Sequence, residues 1–104
     1  MTKKPESRLQ LRIRDAIEST FPGSWFFKVH GGPFQPSGIP DLVGCVSGRF
    51  VAIEVKLPGE GPSAVQVHTM RVMKEAGACV GVVHSVAEAV NLIRSEVFGG
   101  AGLH

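Results

Sequence analysis

Apolar side chains recur at helical spacing near the start of the chain. Leu9, Ile13, Ala16 and Ile17 fall on one stripe, which predicts a helix from Glu6 to about Thr20 with one buried face. Phe21-Pro22-Gly23 stops the pattern. Trp25 to His30, dense in aromatic and branched residues, predicts a strand, and Gly31 to Gly38 follows as a polar loop, a candidate lid or ligand contact. Asp41 to Val46 and Phe50 to Leu57 are strand-like segments around Ser47-Gly48-Arg49, the pattern of an antiparallel hairpin. Ser63 opens a second helix, with a capping box to Gln66, a stripe of Val65, Thr69, Val72 and Ala76, and Gly77 as its stop. Ala78 to Val83 is an almost continuously apolar strand, and Ser85 with Glu88 caps a third helix carrying Val86, Val90, Ile93 and Val97. The order helix, three strands, helix, strand, helix predicts an α/β fold.

At 104 residues, 43% hydrophobic and 19% charged, the chain suits one core and is too short for two. No apolar run approaches the roughly 20 residues of a membrane helix, and no signal sequence opens the chain. A soluble, intracellular protein is expected, one domain over 1–98 with a Gly-rich tail over 99–104. Cys45 and Cys79 lie in apolar runs, where a thiol is usually a small buried hydrophobe. With His30, His68, His84 and His104 far apart, no zinc-type spacing exists. Charge is uneven: residues 1–56 hold eight Lys/Arg against five Asp/Glu, residues 57–104 three against four. Lys3, Lys4, Arg8, Arg12 and Arg14 make the early excess, either a surface for a polyanion or a solvated helix face.

The hairpin carries the candidate chemistry. If Ser47-Gly48 is a two-residue loop, Val46 opposes Arg49, Asp41 falls opposite Glu54, and Lys56 shares their face. Facing Cβ atoms would then stand about 4.5 to 5.5 Å apart. A longer loop would shift this register. Opposed carboxylates repel unless a positive charge sits between them, and hard oxygen donors suit Mg²⁺ or Mn²⁺, with the Val55 carbonyl as a further donor. Such a site, with a lysine beside it, is suited to phosphodiester hydrolysis. A plainer account makes this an edge hairpin in which Asp41 caps a turn, Glu54 and Lys56 are solvated and Pro40 starts a strand. The apolar neighbours of Glu54, from Val51 to Leu57, weigh against it. Glu6 also has two readings: an acid at the positive end of the helix dipole, or a carboxylate at the end of the buried stripe.

Gly38-Ile39-Pro40-Asp41-Leu42, then Ile53-Glu54-Val55-Lys56, then Gln66 on the next helix together resemble the PD-(D/E)XK nuclease superfamily. Glu6 on a first helix, Lys28-Val29-His30-Gly31 and Ser63-x-x-Gln66 narrow this to a resemblance to the VRR-NUC family in its compact, stand-alone phage form, running from about Glu6 to Val90. Pro-Asp or Glu-x-Lys alone is a weak signal; the ordered set is a strong one. The loop from Leu57 to Pro62 has its own composition, and Glu60 has no role in the family pattern.

The resemblance implies a restriction-endonuclease-like core with a mixed sheet flanked by helices. It makes Asp41 and Glu54 metal ligands with the Val55 carbonyl, Lys56 the residue that positions the attacking water, and Glu6 the completion of the acidic cluster, through water. Gln66 becomes a site residue, in competition with its capping-box role, and Lys28 and His30 become neighbours of the scissile phosphate. The implied protein is a Mg²⁺- or Mn²⁺-dependent structure-specific DNA endonuclease, resolving four-way (Holliday) junctions as a homodimer, in the host cytoplasm if phage-encoded. Alternatives are a nuclease acting on flaps or generic DNA, and a non-catalytic nucleic-acid-binding module. Apolar residues of the first helix, a strand edge, or Trp25, Phe26 and Phe27 are candidates for the dimer surface, with core packing as the competing fate.

Overall fold

A computed structural model describes residues 4–99. The elements are α1 (Pro5–Thr20), β1 (Ser24–Lys28), β2 (Leu42–Val46), β3 (Arg49–Val55), α2 (Ala64–Glu75), β4 (Cys79–Val83) and α3 (Val86–Glu96). The predicted order holds, with β1 and β3 each starting one residue earlier and ending two residues earlier than expected, and β2 and β4 each starting one residue later. Lys3, His104 and the tail beyond Gly99 lie outside the described residues. Among the described residues, no helix is long and apolar enough to cross a membrane.

The sheet runs in the order β1-β2-β3-β4, with β1-β2 and β2-β3 antiparallel and β3-β4 parallel. The parallel pair needs a crossover, and α2 provides it. Ser47 and Gly48 both have positive φ, 49° and 85°, as a two-residue hairpin of the I′ kind requires. Val46 therefore pairs with Arg49 and Leu42 with Ile53. The two-residue loop expected from the sequence is the one that forms.

Alternation along the strands divides the side chains between two cores. Leu42, Val46, Val51, Ile53, Val55 and Val83 point to the face covered by α1 and α3, where they meet Ile13, Ile17, Ala89 and Ile93. Each such aliphatic side chain contributes roughly 1.5–3 kcal/mol on burial. Val43, Ala52 and Val80 point to the other face, where α2 lays down Met70 and Met73. The expected stripe of α2 is thus wrong: Val65 and Val72 are about half exposed, Ala76 is exposed, and the methionine side of the helix is buried instead. Valines lie all round α2, so its apolar period does not select a face; contact with β4 does.

Because α2 packs on β4, the same face of β1, β2 and β3 remains uncovered farther out. Trp25 pairs with Cys45, and Cys45 with Phe50, in one row across three strands. All three are exposed, as is Phe27, while Phe26 points the other way into the core. Cys45 is therefore not the buried hydrophobe that its apolar neighbours suggest. Cys79 is, and burial pushes its thiol up to about 11. Gly44, between these strands, admits no side chain because a Cβ there would collide with the Trp25 carbonyl oxygen and Phe26.

Candidate active site

The hairpin register carries through to its open end. Asp41 lies one residue before β2 and accepts the Val55 N–H on Oδ2 at 2.9 Å, while its own carbonyl accepts the Val29 N–H at 2.7 Å. It is thereby fixed between β1 and β3. Glu54, Ala52 and Lys56 share the α2 side of the sheet by alternation. Glu54 is only 1% exposed, on an inner strand, so the account of a solvated acid on an edge hairpin fails.

Two contacts hold Glu54 in its apolar surroundings. Lys56 Nζ stands 3.4 Å from its Oε2, and Gln66 Nε2 donates to the same oxygen at 2.9 Å. Oε1 is buried with no hydrogen-bond partner. Burial, reinforced by the charge of Asp41, opposed by Lys56 and raised further by Glu6, lifts the carboxyl to about 7. An orphaned buried carboxylate oxygen is costly and calls for an explanation, a water or an ion among them.

The sequence set the cap of α2 against a place beside the acids for Gln66, and its side chain makes both contacts. Its Oε1 accepts the Ser63 N–H at 2.8 Å, and its own N–H reaches Ser63 Oγ at 3.2 Å, closing the capping box. The Nε2 left over turns to Glu54. An amide suits this because it has an acceptor and a donor at its two ends.

Glu6, half-buried in the first turn of α1, is near enough to act on Glu54 by charge. It does not join a tight ligand set: among the described residues, no three His, Cys, Asp or Glu side chains converge to hold a metal ion. Lys28, at the end of β1, donates to Ser7 Oγ at 3.3 Å and is thereby tied to α1. His30 lies just beyond β1 and is exposed. The loop after it is pinned to α2, where Thr69 Oγ1 donates to the Ser37 carbonyl at 3.1 Å. Gly38, with φ 79°, sits so close to Val65 and Thr69 that a side chain there would collide. A cavity of about 400 Å³ opens between this loop and Gln66.

The residue types gathered here are those that could hold a hard divalent cation. Asp41 and Glu54 could supply carboxylate oxygens, and Oε1 of Glu54 has no hydrogen-bond partner. With two carboxylates and no histidine or thiol, the chemistry suits Mg²⁺ or Mn²⁺ rather than zinc. Sequence reasoning missed the Asp41–Val55 hydrogen bond and the Ser7 tether of Lys28. Each joins residues far apart in the chain and leaves no local pattern.

No family model and no curated protein matches the chain. Solved structures do. A VRR_NUC domain superposes with TM-score 0.72 and 26% identity, covering 88% of this chain and 97% of its own. A VRR_NUC domain protein gives TM-score 0.74 and 18% identity, covering 95% and 93%. Archaeoglobus fulgidus Hjc, a Holliday junction resolvase from an archaeal hyperthermophile, gives TM-score 0.59 and 24% identity over 76% of this chain and 67% of its own. With its three helices and four-stranded mixed sheet, the chain has the VRR-NUC and Hjc-like nuclease fold, built on a restriction-endonuclease-like core.

Proposed function

We propose that this protein is a divalent-metal-dependent DNA endonuclease that hydrolyses phosphodiester bonds at branched DNA, with the four-way junction as its substrate. The observation that carries the reading is the buried, partnerless Oε1 of Glu54 beside Asp41, on a fold shared with VRR_NUC proteins and a junction resolvase.

Asp41, Glu54 and the Val55 carbonyl would hold Mg²⁺ or Mn²⁺, with Glu6 reaching it through water. When bound, the cation lowers the pKa of water at the site and offsets negative charge on the phosphate. Lys56, 3.4 Å from Glu54, orients the attacking water and stabilises charge developing on the phosphate oxygens. Gln66 holds Glu54 in one rotamer, so that Oε1 and not Oε2 faces the ligand. Lys28, held to Ser7 on the α1 side of the sheet, and His30, exposed just beyond β1, would meet phosphates outside the acidic pair.

Symmetric cutting of a junction calls for two sites related by a two-fold axis. The uncharged row of Trp25, Cys45 and Phe50, with Phe27 beside it, is the surface that supports a homodimer. An uncharged patch can face its own copy without like-charge repulsion.

The test is cleavage of end-labelled four-way junction, flap, single-stranded and linear duplex DNA, each with Mg²⁺, Mn²⁺ or EDTA, alongside Lys56→Ala. Paired symmetric cuts that need metal and Lys56 are expected. Equal cutting of linear duplex or flaps would leave a nuclease without junction specificity, and binding without cutting under any metal would make the protein a non-catalytic module.

A further inference from the structure

A second groove opens where the candidate active site ends. It has a volume of about 320 Å³ and runs between α1, the segment after β3 and the start of α3. Pro5, Arg8, Arg12, Pro58, His84 and Ser85 are among the residues that line it. Pro5 adjoins Glu6 in the chain, and Leu57 and Pro58 directly follow Lys56, so the groove is built from neighbours in sequence of the candidate site residues, on the α1/α3 side of the sheet.

We propose that this groove is a phosphate-binding track, in which Arg8 and Arg12 hold the DNA backbone beside the cut. The inference rests on the nuclease reading above for the identity of the polyanion. Arg8 and Arg12 are one turn apart on the outer side of α1, with a rise of about 6 Å between them. Side chains one turn apart on one face of a helix can both reach phosphates of a single DNA strand.

The opposite wall of the groove adds to the match. His84 Nε2 meets the Glu60 carbonyl at 2.9 Å, and Nδ1 meets Glu88 Oε1 at 3.2 Å. Both partners accept, which favours the doubly protonated ring. Glu88 is the opposing charge at this wall, and its Oε1 accepts the backbone N–H of His84 and meets the His84 ring. Ser85, the N-cap of α3, places the positive end of that helix in the groove as well.

The test measures the affinity of the intact protein for a labelled four-way junction and a labelled duplex in EDTA, from low to high salt, and cleavage in Mg²⁺. Variants are Arg12→Ala, Arg8→Gln with Arg12→Ala, Arg12→Lys, and Lys74→Ala at the far end of α2. Arg12→Ala should reduce the slope of log affinity against log salt by about 0.9, and the double variant by about twice that. Cleavage should show a raised KM with kcat retained, Arg12→Lys should restore the slope, and Lys74→Ala should change neither. An unchanged slope in the double variant, or an equal effect from Lys74→Ala, would overturn the track. Altered slopes in a protein that cuts nothing would keep the track and remove the nuclease reading; no binding to any DNA would remove both.

Discussion

The amide of Gln66 joins Ser63 to Glu54. Its oxygen completes the cap of α2 and its nitrogen donates to the Glu54 carboxylate at 2.9 Å. The start of a helix and the carboxylate at the heart of the site are therefore coupled through one side chain, and substitutions can separate the two duties. Gln66→Glu keeps a capping box, since glutamate closes it as well as glutamine, but it sets a second carboxylate against Glu54 and removes the donor. Gln66→Ala keeps the bond from the backbone N–H of residue 66 to Ser63 Oγ and loses the side-chain bond to the Ser63 N–H, about 0.5–1.5 kcal/mol. Gln66→Glu keeps both and should lose stability only as pH rises and the two facing carboxyls ionise together. Both variants should cut DNA poorly. Urea denaturation and cleavage assays on the pair read the two effects apart, and full activity in Gln66→Glu would show that the contact with Glu54 is incidental.

Glu54 makes the metal-free protein sensitive to pH. Its carboxyl is raised from 4.5 to about 7 by burial first and by Asp41 next. The folded chain therefore keeps this proton at pH values where the unfolded chain has lost it. Stability from this group is fully present below about 4.5 and is lost as pH rises through about 7. The loss amounts to about 3 kcal/mol. Denaturation in EDTA at pH 5 and pH 8.5 should show this component in the parent and not in Glu54→Gln. The variant should be the more stable protein at the higher pH and should cut nothing.

Asp41→Asn keeps an acceptor for the Val55 N–H, because an amide oxygen can take the place of Oδ2. The fold and its melting temperature in EDTA should survive, while stabilisation by added Mn²⁺ should disappear along with cleavage. Calorimetry in the two conditions measures both. Retained turnover in Asp41→Asn would remove Asp41 from the reaction.

Trp25→Arg with Phe27→Arg places like charges on the uncovered sheet face. Neither residue is part of the buried core. Circular dichroism should be unchanged while sedimentation shifts from dimer to monomer and paired cutting of a junction gives way to single nicks. A parent protein that sediments as a monomer would refute the assembly.

Local chemistry made much of this fold readable. The Ser47-Gly48 turn, with positive φ at both residues, settled the hairpin register, and alternation then carried that register to Asp41 and Glu54. The caps at Ser63 and Ser85 were equally plain, because each is a hydroxyl three residues before a Gln or Glu. What the chain did not disclose were the choices made by distant partners. Phe26 is buried and Trp25 and Phe27 are not because α1 covers one face of β1 while α2 stops short of it on the other. Cys45 has neighbours like those of Cys79 but a different fate, for the same reason. Gln66 looked like a side chain with one task because only the folded chain brings Glu54 within reach of its second end.

The turn at Ser47-Gly48 has a consequence for how such a protein can change over time. It lies at the opposite end of the ribbon from Asp41 and Glu54, yet the facing of those two acids is counted from it. A single residue added to either arm would rotate one acid to the wrong side of the sheet. Residues added in matched pairs, two to each arm, would lengthen the ribbon and return both acids to the same side. The hairpin can thus grow or shrink only in even strides, and lineages that retain the chemistry should differ in ribbon length by those strides alone.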